Sequence, residues 1–128
     1  MQETAEPRPR ILVAEDSDEQ RALYSEILRA AGYDVIEASD GDHALEAART
    51  ERLDLVIMDV TMPGRSGWNV LRVLRDAPET MNLPVIVVTG LAETWDRDAS
   101  IAAGADRYLA KPVAPAAMLS EIRAILGR

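Results

Sequence analysis

The sequence has no cysteine and no phenylalanine, and it contains a single histidine. Without cysteine, disulfides, thiolate catalysis and cysteine-ligated zinc are excluded. Aromatic residues make up only 4% of the chain, so aliphatic side chains must build the interior. No apolar run approaches the roughly 20 residues that cross a bilayer, and the first residues lack the pattern of a signal peptide. We therefore expect a cytoplasmic protein with no membrane segment.

The charge balance is strongly acidic. The 128 residues carry a formal net charge of −8, and 28% of them are charged. An acidic surface disfavours direct nucleic-acid binding, which needs a basic one, and it suits a chain that attracts a cation or a basic partner. The length fits one domain with a core of its own.

Short β-branched runs alternate along the chain with segments of helical periodicity. The runs lie at 11–14, 33–38, 55–59, 85–89 and 107–110. The first helical segment is expected from Ser17 to before Gly32, the second at about 40–50 and the fourth at about 93–103. The third contains Val70, Leu71 and Leu74 and ends before Pro78, and the fifth contains the apolar residues from Met118 to Leu126 and stops at Gly127. Five such βα units predict an α/β fold, with a doubly wound parallel sheet covered by helices on both faces. We expect a disordered lead at residues 1–9 and a single domain at 10–127.

The first helical segment has clear start and stop signals. Ser17 stands at the N-cap with Gln20 three residues later, which is the spacing of a capping box, and Gly32 marks the end. Leu23 and Ile27 are four residues apart, and the spacing places them on one apolar face.

Polar residues stand where the predicted strands end. Glu15 and Asp16 follow the first strand, Asp59 ends the third, Thr89 ends the fourth, and Lys111 follows the fifth. Ligands of open α/β sheets bind outside the carboxyl ends of the strands. Where the first and third strands are neighbours, the three carboxylates converge at that edge. The strands therefore predict an acidic site at a rim that faces solvent.

Three clustered carboxylates need a counter-ion. Two like charges about 4 Å apart repel by roughly 4 kcal/mol at an effective dielectric constant near 20. Oxygen ligands without histidine or cysteine favour Mg²⁺, which keeps several waters and shares a phosphate. With Lys111 and Thr89 nearby, the cluster suits a phosphoryl group. Asp59 is then either a metal ligand only or a ligand that also attacks phosphorus.

Four ordered segments resemble the receiver domain of two-component response regulators, in the stand-alone form of the chemotaxis-type regulators. The segments are "ILVAEDS", "LVIMDVTMPGRSG", "PVIVVTG" and "GADRYLAKPV". The resemblance covers about residues 10–127. It implies a flavodoxin-like (βα)5 fold with strand order 2-1-3-4-5, and a signalling switch that is not an enzyme in the usual sense.

The resemblance also implies a role for each site residue. Asp59 is the phosphoacceptor, and its phosphoryl donor is a histidine kinase or a histidine phosphotransfer protein. The implied Mg²⁺ ligands are the carboxylates of Asp16 and Asp59, Glu15 through water, and the backbone carbonyl of Thr61.

The remaining implied roles concern the response to phosphorylation. Thr89 and Lys111 bind the phosphoryl group, and the Lys111–Pro112 peptide bond is cis. Tyr108 rotates when Thr89 moves, which links the site to the face formed by the fourth predicted helix, the fifth strand and the last helix. That face then alters partner binding, or the phosphoryl group is relayed onward.

Three rival interpretations remain at this point. A small Mg²⁺-dependent phosphohydrolase with an aspartate nucleophile would want a second aspartate where Thr61 stands. A flavin-binding module would want a hydroxyl-rich loop where the acidic "EDSDEQ" follows the first strand. A degenerate receiver would bind partners without being phosphorylated. The sequence names neither the kinase nor the output target, and the domain could equally belong to a longer protein.

Overall fold

The computed structural model describes residues 7–90, 98–99 and 101–127. The strands are β1 (Arg10–Ala14), β2 (Asp34–Ala38), β3 (Leu55–Asp59), β4 (Val85–Thr89) and β5 (Arg107–Ala110). The helices with defined bounds are α1 (Asp18–Ala30), α2 (Gly41–Thr50), α3 (Gly67–Asp76) and α4 (Pro115–Leu126). Of the helix predicted at 93–103, residues 93–97 and 100 lie outside the described residues, whereas 98, 99, 101 and 102 are helical. The proposed disordered lead at 1–9 stays a prediction.

All five strands are parallel, in the order β2-β1-β3-β4-β5. The central position of β1 and β3 is explained by their composition, because each is apolar on consecutive residues and therefore suits a strand covered on both faces. The predicted fold class and strand order are confirmed. Since β1 pairs directly with β3, the residues that follow these two strands emerge side by side.

Successive strand residues point to opposite faces of the sheet and so build two separate cores. On one face, Leu12, Val56 and Val87 belong to a cluster that includes side chains of α2 and α3. On the other face, Ile11, Ile57 and Val88 belong to a cluster that includes side chains of α1 and α4. The two cores hold the sheet rigidly, and the carboxyl edge of the sheet therefore makes a fixed platform.

The predicted N-cap of α1 is confirmed, but the reciprocal bond of a capping box is not made, because the Ser17 amide donates to Glu15 Oε2 and not to Gln20. The Ser17 hydroxyl accepts a hydrogen bond from the Gln20 amide at 3.2 Å, and Asp40 caps α2 in the same way through the His43 amide at 2.7 Å. Such caps satisfy amides that the helix itself leaves without partners.

The predicted inner face of α1 is wrong in one respect. Leu23 is 51% exposed and Ile27 is partly buried, whereas Tyr24 and Leu28 are buried in the core. The helix is rotated by about one residue from the expected orientation because Tyr24 and Leu28 supply more apolar area to the sheet. Among the described residues, no helix combines the length and the apolar character that a bilayer crossing requires.

Candidate functional site

The carboxyl edge of the sheet brings together the polar residues that the sequence places after the strands. Asp59 is the last residue of β3 and Thr89 the last residue of β4. Glu15 directly follows β1, and its amide donates a hydrogen bond to the Ala38 carbonyl of β2 at 3.0 Å. Lys111 directly follows β5, and its amide donates to the Thr89 carbonyl at 2.8 Å. The backbone ladder thus continues one residue past the strands and fixes where these side chains start.

Three carboxylates form a compact cluster at this edge. One oxygen each of Glu15, Asp16 and Asp59 lies within 4.8 Å of the others. Glu15 is only 2% exposed and Asp59 only 6%, whereas Asp16 is exposed. Two of the three carboxylates are thus shielded from solvent within the site, and only Asp16 is freely exposed.

Lys111 partly neutralises the two buried carboxylates. Its Nζ atom lies 2.6 Å from Asp59 Oδ2 and 3.0 Å from Glu15 Oε1. Burial alone would lower the pKa of the Lys111 ammonium, but the hydrogen bonds to Asp59 and Glu15 outweigh it, and the pKa is raised. The lysine is therefore fully charged at neutral pH. The Lys111–Pro112 peptide bond is cis, as the resemblance implied.

Opposing effects act on the pKa of the Glu15 carboxyl group. Burial raises the pKa of its carboxyl group above the ordinary value, and the nearby charge of Asp59 adds to that shift. The Ser17 amide, which donates to Glu15 Oε2 at 3.1 Å, and the Lys111 ammonium act in the opposite direction. A carboxylate whose charge is destabilised in this way gains from a further cation.

The loop after β3 orients Asp59. The Thr61 amide donates a hydrogen bond to Asp59 Oδ1 at 2.8 Å, so the two carboxylate oxygens have different partners. The loop returns to the strand at Gly67, whose amide donates to the Val60 carbonyl at 2.8 Å. A Cβ atom at Gly67 would lie 2.5 Å from the Asp59 carbonyl oxygen, so only glycine permits this close approach.

These side chains line an open cleft of about 300 Å³. Its described lining residues are Glu15, Asp16, Ser17, Gln20, Asp59, Thr61, Thr89, Gly90 and Lys111. Six of them were predicted as site residues. The seventh predicted site residue, Tyr108, is outside this lining; it lies on β5, where it pairs with Val87 of β4.

The donor set fits a divalent cation. The clustered ligand atoms are all carboxylate oxygens, the type that Mg²⁺ prefers. Three carboxylates and one ammonium leave two negative charges in excess, which a doubly charged ion would balance. The cluster therefore has both the chemistry and the charge that a magnesium site needs.

Sequence reasoning did not assign Gln20 to the cleft and gave no role to Arg21. Gln20 lies one turn into α1 and was noticed only for its spacing from Ser17. Arg21 donates to the Glu15 carbonyl at 2.8 Å, a contact that depends on where α1 packs. A charge three residues from Asp18 signals a helix ion pair, but no local pattern indicates a bond to a distant loop carbonyl.

Comparisons with known proteins agree with this geometry. A family model described as the response regulator receiver domain matches residues 11–123. The chain is 37% identical over 119 residues to the alkaline phosphatase synthesis transcriptional regulatory protein PhoP of Bacillus subtilis (strain 168). That match covers 93% of this chain but only 49% of PhoP, so the chain spans about half the length of this relative.

A shorter relative and a solved structure match over nearly their whole length. The polar-differentiation response regulator DivK of Brucella anthropi is 32% identical over 117 residues, which cover 91% of this chain and 95% of DivK. The receiver domain of the sensor histidine kinase PA1611 from Pseudomonas aeruginosa PAO1 was solved with a magnesium ion coordinated in its active site cleft. It superimposes with a TM-score of 0.88 at 30% identity, and the match covers 95% of this chain and 100% of that one.

The resemblance inferred from the four sequence segments is confirmed. The chain belongs to the response regulator receiver domain family, whose members are signalling domains of two-component systems and not classical enzymes.

Proposed function

We propose that the chain is a phosphorylation-activated switch in which Asp59 accepts a phosphoryl group with the help of Mg²⁺. The observation that carries the proposal is the position of Asp59. Its carboxylate is buried at the end of β3, 2.6 Å from the Lys111 ammonium and clustered with Glu15 and Asp16. A structural aspartate at a strand end would not need two further carboxylates beside it, because like charges in a buried cluster destabilise each other.

The proposed reaction is a transfer from a phosphohistidine. An oxygen of the Asp59 carboxylate attacks phosphorus and forms a P–O bond, while the P–N bond to the donor imidazole breaks. The electron pair of that bond stays on the imidazole nitrogen, which then takes up a proton. The Thr61 amide, bonded to Asp59 Oδ1, holds the carboxylate in one orientation during the attack.

Lys111 and Thr89 would receive the transferred group. The Lys111 ammonium already lies on Asp59 Oδ2, so a small shift brings it onto a phosphoryl oxygen attached there. Thr89 is 1% exposed and lines the same cleft, where its hydroxyl group can donate to a second phosphoryl oxygen.

The metal ligands would be Asp16 and Asp59, with Glu15 acting through water and Thr61 through its carbonyl group. When bound, Mg²⁺ supplies charge neutralisation and alignment of the phosphoryl group. The magnesium ion described for the PA1611 receiver domain supports this assignment, and the all-oxygen donor set supports it independently.

The output of the switch would pass through Thr89 and Tyr108. Thr89 and Val87 point to the same face of β4, and Tyr108 pairs with Val87 on the neighbouring strand. The side chains of Thr89 and Tyr108 therefore lie on one face of adjacent strands, where movement of the first can open space for the second. We infer that the face formed by the fourth predicted helix, β5 and α4 changes its affinity for a partner.

The partners proposed for the chain are a histidine kinase or a histidine phosphotransfer protein and a protein target. We propose a cytoplasmic location and no direct contact with nucleic acid or membrane. The acidic net charge and the acidic cluster at the site support the absence of contact with nucleic acid or an anionic membrane surface. Relatives such as PhoP are about twice as long, so the wider output of this chain stays a proposal.

The proposal is tested by incubating the protein with acetyl phosphate and following the bound phosphate by intact mass. We expect Mg²⁺-dependent incorporation of one phosphoryl group that is stable in acid and labile in base, as an acyl phosphate is. EDTA should prevent incorporation, and the Asp76→Asn variant, which removes an exposed carboxylate of α3, should behave like the wild type. No incorporation would favour the degenerate receiver, and continuous release of phosphate from small esters would favour the phosphohydrolase.

A further inference from the structure

Arg21 links the acidic pair after β1 to two other parts of the fold. It lies near the start of α1, and its side chain is 16% exposed. We propose that Arg21 is a positioning residue for the metal site, because it fixes the peptide group that joins Glu15 to Asp16. This inference rests on the proposed function, in which both carboxylates hold Mg²⁺.

The guanidinium group of Arg21 has a different partner for each of its nitrogens. Nη1 donates to the Glu15 carbonyl oxygen at 2.8 Å, and Nε donates to Glu37 Oε1 at 3.2 Å. Nη2 pairs with Asp18 Oδ1 in the first turn of the helix. Because the guanidinium group is planar and each of its three nitrogens has a partner, its orientation is fixed. The nitrogen that donates to the Glu15 carbonyl is therefore held in place.

The anchor on β2 is itself secured. Glu37 accepts Arg21 through Oε1, and Arg29 Nη1 lies 3.6 Å from its Oε2. The pair Arg21–Glu37 therefore joins α1 to the edge strand of the sheet. The guanidinium group that donates to the Glu15 carbonyl is thus held by both α1 and β2.

The backbone of Glu15 is held at both of its polar atoms. Its amide donates to the Ala38 carbonyl at 3.0 Å, and its carbonyl accepts from Arg21. This carbonyl belongs to the peptide group whose other half is the Asp16 amide, so its orientation decides where the Asp16 side chain begins.

Asp16 depends on that peptide group more than its neighbours in the cluster do. Glu15 and Asp59 are buried and paired with Lys111, which limits the movement of their side chains. Asp16 is exposed, so packing does little to place its carboxylate. Groups that orient metal ligands through hydrogen bonds affect metal affinity although they do not touch the ion.

If Arg21 only stabilised the packing of α1 on β2, its replacement would have a different effect. If the residue only joined α1 to β2, its loss and the loss of Glu37 would have similar consequences, because both break the same ion pair. If it positions the peptide group, only the loss of Arg21 removes the hydrogen bond to the Glu15 carbonyl. Glu37→Gln is the matched control: it removes the charge of the ion pair, but its amide oxygen can still accept from Arg21 Nε and leave the fork in place.

The test compares Mg²⁺ affinity in wild type, Arg21→Met, Arg21→Lys and Glu37→Gln by calorimetry and NMR titration. We expect Arg21→Met to bind Mg²⁺ about tenfold more weakly, or worse, and Glu37→Gln to stay within about twofold of the wild type. The backbone amide resonance of Asp16, recorded without metal, should move in Arg21→Met and hardly at all in Glu37→Gln. Arg21→Lys keeps the charge but not the fork; it should also lose affinity, and it decides the question if Arg21→Met does not fold.

The outcomes separate this inference from the proposed function. A wild type with a saturable Mg²⁺ site and Arg21 variants that match Glu37→Gln in affinity and in the Asp16 resonance would overturn the positioning role alone. A wild type without a saturable site would overturn the proposed function and the positioning role with it.

Discussion

The Nζ atom of Lys111 lies 2.6 Å from Oδ2 of Asp59, and this pair occupies the centre of the cleft. Lys111 is the only lysine of the sequence, since the other basic residues are arginines apart from one histidine. Arginine would present a planar fork to the two carboxylates, whereas the lysine presents a compact point charge. A point charge can slide from a carboxylate oxygen to an oxygen of a group attached to it, which is the movement that the proposed function requires.

Replacement of Lys111 should strengthen Mg²⁺ binding while it weakens phosphorylation. The ammonium contacts Glu15 and Asp59, the carboxylates that would also hold the cation, so its removal would relieve a repulsion of about 2 kcal/mol or more. We expect Lys111→Met to bind Mg²⁺ at least roughly tenfold more tightly in a calorimetric titration. Lys111→Arg keeps the charge and should not show the gain; equal or weaker binding by Lys111→Met would contradict the shared-oxygen account.

Asp59→Asn should keep the fold. Asp59 is only 6% exposed although the cleft that it lines is open, so tolerance of this change depends on the contacts of its side chain. The structure supplies a reason for tolerance: an asparagine oxygen can still accept the Thr61 amide, and a neutral side chain no longer repels Glu15. We expect urea unfolding to shift the free energy of unfolding by about 1 kcal/mol or less. A loss several times larger would show that the Lys111 ion pair is a major support of the fold.

Gly67→Ala should disturb Asp59, the proposed acceptor, through the backbone. The added methyl group would lie 2.5 Å from the Asp59 carbonyl oxygen and 2.8 Å from the Val60 Cα. Overpacking of this kind costs about 1–3 kcal/mol, and here it displaces the residue that carries the acceptor. We expect both lower stability and slower phosphorylation by acetyl phosphate. Gly90→Ala is the control for stability, since a Cβ there meets nothing within 4 Å, and an equal loss of stability in the two variants would argue against the close-contact explanation.

Ser25→Ala should stabilise the protein. Ser25 is fully buried in α1, and its hydroxyl group has no hydrogen-bond partner within the described part of the chain. An unsatisfied buried hydroxyl costs about 1–3 kcal/mol, and alanine is also the better helix former. We expect the free energy of unfolding to rise by about 1 kcal/mol in chemical denaturation, without a change in Mg²⁺ affinity. A lower stability would mean that the hydroxyl group is satisfied after all.

The strands themselves could be predicted from the sequence because their signals are local, whereas their order was implied by the family resemblance. Consecutive apolar residues such as those of β4 suit only a strand covered on both faces, and the bounds of β3, β4 and β5 agree with the prediction residue for residue. The polar residues after the strands could be predicted for the same reason. Once the strands are parallel and β1 pairs with β3, Glu15 and Asp59 must meet.

The rest depends on how elements pack, which no short window of sequence encodes. The exposed position of Leu23 follows from the rotation of α1 against the sheet. The burial of Asp59 follows from its tertiary surroundings, which include the Lys111 side chain 52 residues further along the chain. The sequence assigned Lys111 to the phosphoryl group and not to ion pairs with both carboxylates. These ion pairs form because the fold brings Lys111 to the same edge as Glu15, from which it is 96 residues away in the sequence.

The location of the phosphoryl group is the most direct test of the central claim that Asp59 is the acceptor. After phosphorylation with acetyl phosphate and Mg²⁺, borohydride reduction converts an aspartyl phosphate to homoserine, which tandem mass spectrometry assigns to one position. The account predicts homoserine at position 59, in the peptide that contains the end of β3, and none in a sample prepared with EDTA. Homoserine at another aspartate, or a phosphorylated protein with position 59 unchanged, would contradict it.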